Sequence, residues 1–300
     1  MQKFATIIFV NIVLVISSAA QSYLVDIKRE SARSDKFTGG SIARATLEHG
    51  NDDLRITINV PAFQMTLWQG GKELRSYPIG VGLIEYPIII GMREALSVEW
   101  NPVWIPPSSD WIEKSSTVKP GEIVLPTDPR NPLGKVKIPL GYGYLIHQAK
   151  GPGDMGSLVS HGCVRVMQAD LYDLAEKIVA ARSLDVSSRQ IAAAKRNKKT
   201  LVATLEPTIP VEITYDTIVV ESGRLNVYPD VYNYGRNTVA NVRTELKTSG
   251  VDDRRVTDAE IKRMITAAAG KRKFVVDTAS IEKGNALVNG RTATVVASRR

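Results

Sequence analysis

Ser160-His161-Gly162-Cys163-Val164-Arg165 holds the single cysteine of a 300-residue chain. Residues two apart in an extended segment share a face, so His161, Cys163 and Arg165 line one cleft while Val164 and Val166 turn to the core. A short strand is predicted over 163–166. Behind it, Leu171, Leu174, Ile178 and Val179 recur at helical spacing, which predicts an amphipathic helix over 169–182. Ahead of it, residues 151–157 are glycine-rich with no following lysine-serine or lysine-threonine pair, the pattern of a flexible lid rather than a phosphate cradle. Further upstream, Tyr142-Gly143-Tyr144-Leu145-Ile146-His147 reads as a strand, with Tyr144 and Ile146 on one face and Leu145 and His147 on the other.

A thiol attacks as thiolate, and an ordinary cysteine has a pKa of roughly 8.5, so a reactive one needs a base or a positive charge beside it. The chain has three histidines, and two of them, His147 and His161, lie within 16 residues of Cys163. His147, at the end of a strand able to run beside that of Cys163, can reach the sulfur across the sheet. Glycine at 162 removes bulk beside the thiol and leaves backbone N–H groups free for an oxyanion. Blander alternatives stand next to each residue. Cys163 could be an inert core cysteine, and His147 or His161 a structural histidine. Arg165 could pair with a carboxylate, Trp100 and Trp104 could serve packing alone, and His147, His161 and Cys163 could make an open zinc site.

Outward from this centre the chain is rich in short strands. Residues 54–60 and 63–68 alternate apolar and polar, and Gln69-Gly70-Gly71-Lys72 turns into an extended run over 74–81. Prolines at 102, 106, 107, 120, 126, 129, 132 and 139 forbid a long helix and predict extended loops joining short strands. A basic, alanine-rich helix is predicted over 189–198, then strands over 211–215 and 217–220. Beyond Arg236 two more helices are expected, one over 238–246 and one opened by Thr257 with Glu260 three residues later, a capping-box pattern.

Lys3, an apolar run over 4–16 and Ser18-Ala19-Ala20 form a secretory signal pattern over residues 1–20, followed by a linker over 21–53. An apolar run of roughly 13 residues is short of the roughly 20 that a membrane-spanning helix needs; an uncleaved anchor is the alternative. In an exported protein a lone cysteine closes no internal disulfide. The formal charge of +8 suits an anionic partner such as a wall polymer, whereas no nucleic-acid recognition motif is present.

His147, a loop and the run 160–165 together resemble the signature of the L,D-transpeptidase catalytic domain, the YkuD or ErfK family. Trp100-Asn101-Pro102-Val103-Trp104-Ile105-Pro106-Pro107, Asn131-Pro132-Leu133-Gly134 and the 142–147 run support it. The resemblance implies a mainly β protein: an L,D-transpeptidase-like β-sandwich over 54–215 with one or two flanking helices and an insertion near 183–207. A small α+β C-terminal appendage, an accessory region over 216–300, follows. It implies an exported enzyme of the periplasm or cell envelope that remodels peptidoglycan without cofactor or metal. Cys163 is then the nucleophile and His147 the proton acceptor and donor, its ring oriented by the Gln148 carbonyl. Tyr144, Ser160, His161, Gly162 and Arg165 bind substrate. The nucleophile attacks the third-residue carbonyl of a tetrapeptide stem, releases D-alanine, and passes the acyl group to an amine. The implied partners are stem peptides, with a lysine of an envelope lipoprotein as an alternative acceptor, no nucleic acid and no obligate protein partner. A cysteine hydrolase on the same substrate and a catalytically inactive wall-binding protein are the competing expectations. The chain departs from the family pattern at Tyr86-Pro87-Ile88-Ile89-Ile90-Gly91, where a proline-threonine-glycine stretch is usual.

Overall fold

A computed structural model describes residues 54–183 and 185–296, so the expected signal over 1–20 and linker over 21–53 lie outside the described residues. The first two alternating runs form the antiparallel strands β1 (Leu54–Asn59) and β2 (Gln64–Gln69), and the Gly70-Gly71 turn leads into β3 (Lys72–Gly82). Leu54, Ile56 and Ile58 are buried while their neighbours are partly exposed, as the alternation predicts. Then come β4 (Gly91–Trp100), the one-turn helix α1 (Asp110–Glu113), β5 (Val136–Pro139) and β6 (Leu145–Gln148). After the glycine loop follow β7 (Leu158–Ser160), β8 (Val164–Val166), α2 (Gln168–Arg182), α3 (Ser188–Arg196) and β9 (Leu201–Thr214).

These nine strands form one sheet in the order β2-β1-β9-β4-β5-β6-β8-β3-β7, and β2 also pairs with β3. The sheet therefore closes on itself, which removes open edges from most of its strands. Helix α2 buries Leu171, Leu174, Ile178 and Val179 against β5, β6 and β9. The result is the mainly β architecture with flanking helices that the sequence predicts. Residues 101–135 leave the sheet and build a small apolar cluster of their own from Trp104, Ile112, Val118, Val124 and Leu133. Asn131 fastens that excursion by donating to the carbonyls of Pro102 and Val124, at 3.0 and 3.2 Å.

Strand β9 begins ten residues before the strand predicted at 211. Pro207 hides it: the pairing with β4 shifts register between Ala95 and Ser97, so the proline sits where the ladder asks no N–H of it.

A second sheet follows, made of β10 (Ile218–Glu221), β11 (Arg224–Val227), β12 (Arg272–Asp277) and β13 (Arg291–Thr294) in that order, all antiparallel. Helices α4 (Val239–Thr248), α5 (Asp258–Ala267), α6 (Thr278–Glu282) and α7 (Ala286–Asn289) accompany it. Its own core gathers Leu225, Val227, Val242, Leu246, Ile261 and Phe274. Thr257 and Glu260 close the predicted capping box at the start of α5. Among the described residues, no helix is long and apolar enough to cross a membrane.

Candidate active site

Strands β6 and β8 run parallel, with Ile146 opposite Val164 and His147 opposite Arg165. Ile146, Val164 and Val166 are fully buried in the core, so His147, Arg165 and Cys163 belong to the opposite face. Cys163, partly exposed, immediately precedes β8. The imidazole and the thiol thus share one face of adjoining strands, two residues apart in register, on strands about 4.8 Å from each other. Strand β3 flanks β8 on its other side through Ile79 and Gly80.

A tight turn presents the sulfur. The Ser160 hydroxyl donates to the Cys163 carbonyl at 2.5 Å, and Ser160 is 2% exposed. That hydroxyl shapes the turn. Gly162 inside the turn has φ of 102°, a left-handed conformation that disfavours side chains, and an added Cβ would lie 2.7 Å from Cε1 of Tyr144. Tyr144 precedes β6 instead of continuing its alternation, so its ring lies over Gly162. Gly82, at the end of β3, closes the other side, where an added Cβ would meet the Tyr86 carbonyl at 2.1 Å and Gly162 Cα at 3.0 Å. Gly162→Ala is expected to lower stability by roughly 1–3 kcal/mol through backbone strain and overpacking. Gly153→Ala in the nearby loop serves as control, since a Cβ there meets nothing within 4 Å. Thermal unfolding of the two variants checks this; equal losses would refute the packing account.

His161 is exposed, yet its ring is clamped. It stacks on Trp111 with centroids 4.2 Å apart and planes 10° apart, and meets Tyr86 edge-on at 4.7 Å. Trp104 extends the stack, 6.4 Å from Trp111. Trp111 and Tyr86 carry no sequence signal that links them to position 161. Trp100 is 1% exposed inside the main core, and Trp104 8% exposed in the small cluster, so both are packing residues.

Arg165 pairs with Asp154, Nη1 to Oδ2 3.1 Å, and both side chains are largely buried. The same carboxylate oxygen accepts from the Lys150 N–H at 2.9 Å. Asp154 belongs to the glycine-rich loop, which is also tied to β3 by the Gly156 N–H donating to the Ile79 carbonyl at 2.9 Å. The loop expected to be a flexible lid is therefore fastened to two strands. Removing one partner of so enclosed a pair costs about 3–5 kcal/mol.

Burial favours the neutral form of both His147 and Cys163. Burial, aided by the nearby Arg165 cation, pushes the His147 pKa down to about 4, against weaker upward pulls from the Gln148 main chain and Asp154. Burial pushes the Cys163 thiol up, while the Leu145 main chain and Arg165 pull it down. His161 is also lowered, by burial and then by Arg165 and Lys150. His147 is 4% exposed, and its Nδ1 finds no hydrogen-bond partner among the described residues. The Gln148 main chain, expected to orient the ring, favours its protonation without closing a bond on Nδ1. No trio of His, Cys, Asp or Glu among the described residues is grouped to hold a metal ion.

Residues 53–213 match the family model for the YkuD L,D-transpeptidase catalytic domain. Over 117 residues the chain is 32% identical to Probable L,D-transpeptidase YbiS of Escherichia coli strain K12, covering 35% of this chain and 38% of that protein. Over 138 residues it is 25% identical to Probable L,D-transpeptidase ErfK/SrfK of Salmonella typhimurium, covering 45% of each. The chain thus spans less than half the length of these two curated relatives. A solved L,D-transpeptidase from Mycobacterium smegmatis is 18% identical with a TM-score of 0.36, over 54% of this chain and 58% of that one. With the family model covering more than half of its residues, the chain belongs to the L,D-transpeptidase catalytic domain family, YkuD.

Proposed function

We propose that this protein is an exported L,D-transpeptidase of the periplasm or cell envelope that acts on peptidoglycan stem peptides. One observation supports it above the others: His147 in β6 and Cys163 just before β8 share one face of two adjoining parallel strands, within the stretch that the family model matches. With the thiol and imidazole both neutral, the first step moves a proton as the bond forms. The Cys163 sulfur attacks the third-residue carbonyl of a tetrapeptide donor while His147 takes the thiol proton. Main-chain N–H groups at Gly162 and Cys163 receive the oxyanion, and Ser160 fixes their turn. Collapse breaks the bond to terminal D-alanine, whose amine leaves with the proton from His147, and a thioester remains. An acceptor amine then attacks the thioester, gives its proton to His147, and the proton returns to sulfur. A second stem's side-chain amine yields a cross-link between third residues; a lipoprotein lysine is the other acceptor of this chemistry.

An imidazole at about 4 is unprotonated throughout the neutral range, ready to accept the thiol proton. Tyr144 lies over Gly162 of the turn and the clamped His161 flanks it, while Arg165, paired with Asp154, draws the thiol's pKa down by its charge.

Incubating the purified protein with tetrapeptide-rich muropeptides tests the proposal: dimers joined between third residues, with release of D-alanine, are the expected products by liquid chromatography and mass spectrometry. Tripeptides without dimers, even with an amine acceptor added, would assign the acyl group to water, and unchanged muropeptides would overturn the enzymatic function.

A further inference from the structure

The C-terminal region reaches both loops that border Cys163. On one side Tyr232, between β11 and α4 and 4% exposed, donates its hydroxyl to the Gly82 carbonyl at 3.1 Å and accepts from the Ile88 N–H at 3.4 Å. Those bonds pin both ends of residues 83–87. Within that loop the Leu83 N–H donates to the Ser160 carbonyl at 2.8 Å, and the Tyr86 ring meets His161. On the other side Lys271 donates to the Ser157 hydroxyl at 2.7 Å, and Val296 lies so near Gly156 that an added Cβ would be 3.1 Å from its Cγ2. Gly156 and Ser157 continue the loop whose Asp154 holds Arg165.

Tyr232 is aimed in advance. Its N–H donates to the Tyr215 hydroxyl at 2.7 Å and its ring stacks on that of Tyr215, centroids 5.5 Å apart. The Tyr215 hydroxyl donates in turn to Asp230 at 2.6 Å, and the same carboxylate accepts from the Tyr234 and Arg236 N–H groups. Although Tyr232 follows β11 in the chain, it packs in the core of the first sheet and not in that of the second. A buried hydroxyl with both its bonds on the main chain of one loop fixes that loop's position.

We propose that the C-terminal region braces the active site, with Tyr232 as a positioning residue that sets the 83–87 loop against the turn of Cys163, and Lys271 and Val296 steadying the opposite loop. The activity readout rests on the L,D-transpeptidase function proposed above; thiol alkylation does not.

Tyr232→Phe in the full chain keeps the ring and removes both bonds. The rate of carbapenem acylation at Cys163, followed by intact-protein mass spectrometry, is expected to fall roughly ten- to a hundredfold, the effect of a small misplacement of reacting groups. The midpoint pH of Cys163 alkylation by iodoacetamide is expected to move down, because a loosened loop admits water and relieves the thiol's desolvation. A role in stability alone would lower the unfolding temperature and leave that midpoint in place. Lys271→Met tests the opposite loop and decides the matter if Tyr232→Phe does not fold; it is expected to slow acylation about threefold or more, the effect of one lost hydrogen bond. Folded variants with wild-type acylation rates and an unmoved alkylation midpoint would overturn the brace. If the wild type takes no carbapenem, the transpeptidase function fails, and the alkylation midpoints alone judge the brace.

Discussion

Cys163→Ala is expected to abolish both the carbapenem adduct and the formation of cross-linked dimers, with a fall in rate on the order of a millionfold, as when the nucleophile of a covalent catalyst is removed. No second thiol exists in the chain to take over. Stability is expected to change little, by about 1 kcal/mol, because a single sulfur atom is lost from a residue that is partly exposed. The turn itself survives, since its Ser160 bond goes to the Cys163 carbonyl and not to the side chain. Intact-mass analysis with a carbapenem and muropeptide profiling of the two proteins side by side make the comparison. Dimers formed by Cys163→Ala at the wild-type rate would move the chemistry away from this sulfur. Wall binding retained with cross-linking already absent from the wild type would instead favour a catalytically inactive binding protein.

What the sequence made legible was mostly local. The period-2 runs of β1 and β2, the 3.6-period stripe of α2 and the capping box of α5 each place their own backbone bonds, and each appears where its pattern lies. The common face of His147 and Cys163 was legible because two short paired strands with buried Ile146 and Val164 leave one outer face. Strand β4 was not, since Met92 and Leu96 are exposed although apolar and so erase its alternation. The first half of β9 was hidden by Pro207, and the closure of the sheet through β2 and β3 depends on a pairing no local pattern encodes. The same limit applies around the site. Trp111 reaches His161 from α1 and Tyr86 from a distant loop, and Tyr232 arrives from beyond the second sheet's first hairpin. Asp154 was one of many acidic residues until the loop brought it onto Arg165.

His147→Gln is expected to slow acylation of Cys163 at pH 7 by roughly a hundred- to ten-thousandfold, the contribution of a positioned general base. Its pH dependence separates this role from a packing one. In the wild type the imidazole, held at about 4 chiefly by burial, keeps its accepting lone pair down to weakly acidic conditions, so the acid limb of the acylation profile falls near pH 4. Glutamine cannot accept the proton. The variant must therefore wait for free thiolate, whose pKa burial has raised, and its residual rate should climb about tenfold per pH unit through the neutral range. Stability carries a matching signature. The folded pKa of His147 lies below the unfolded value of about 6.5, so the unfolded chain binds the extra proton between those limits. Stability is then complete above about pH 6.5 and declines as the pH falls toward 4, and His147→Gln removes that share of the decline. Denaturant unfolding at pH 7 and pH 5 reads the difference, while the lowered His161 leaves a smaller slope in both proteins. A variant that acylates within about tenfold of wild type at pH 7, with the acid limb still in place, would show that the proton leaves sulfur by another route.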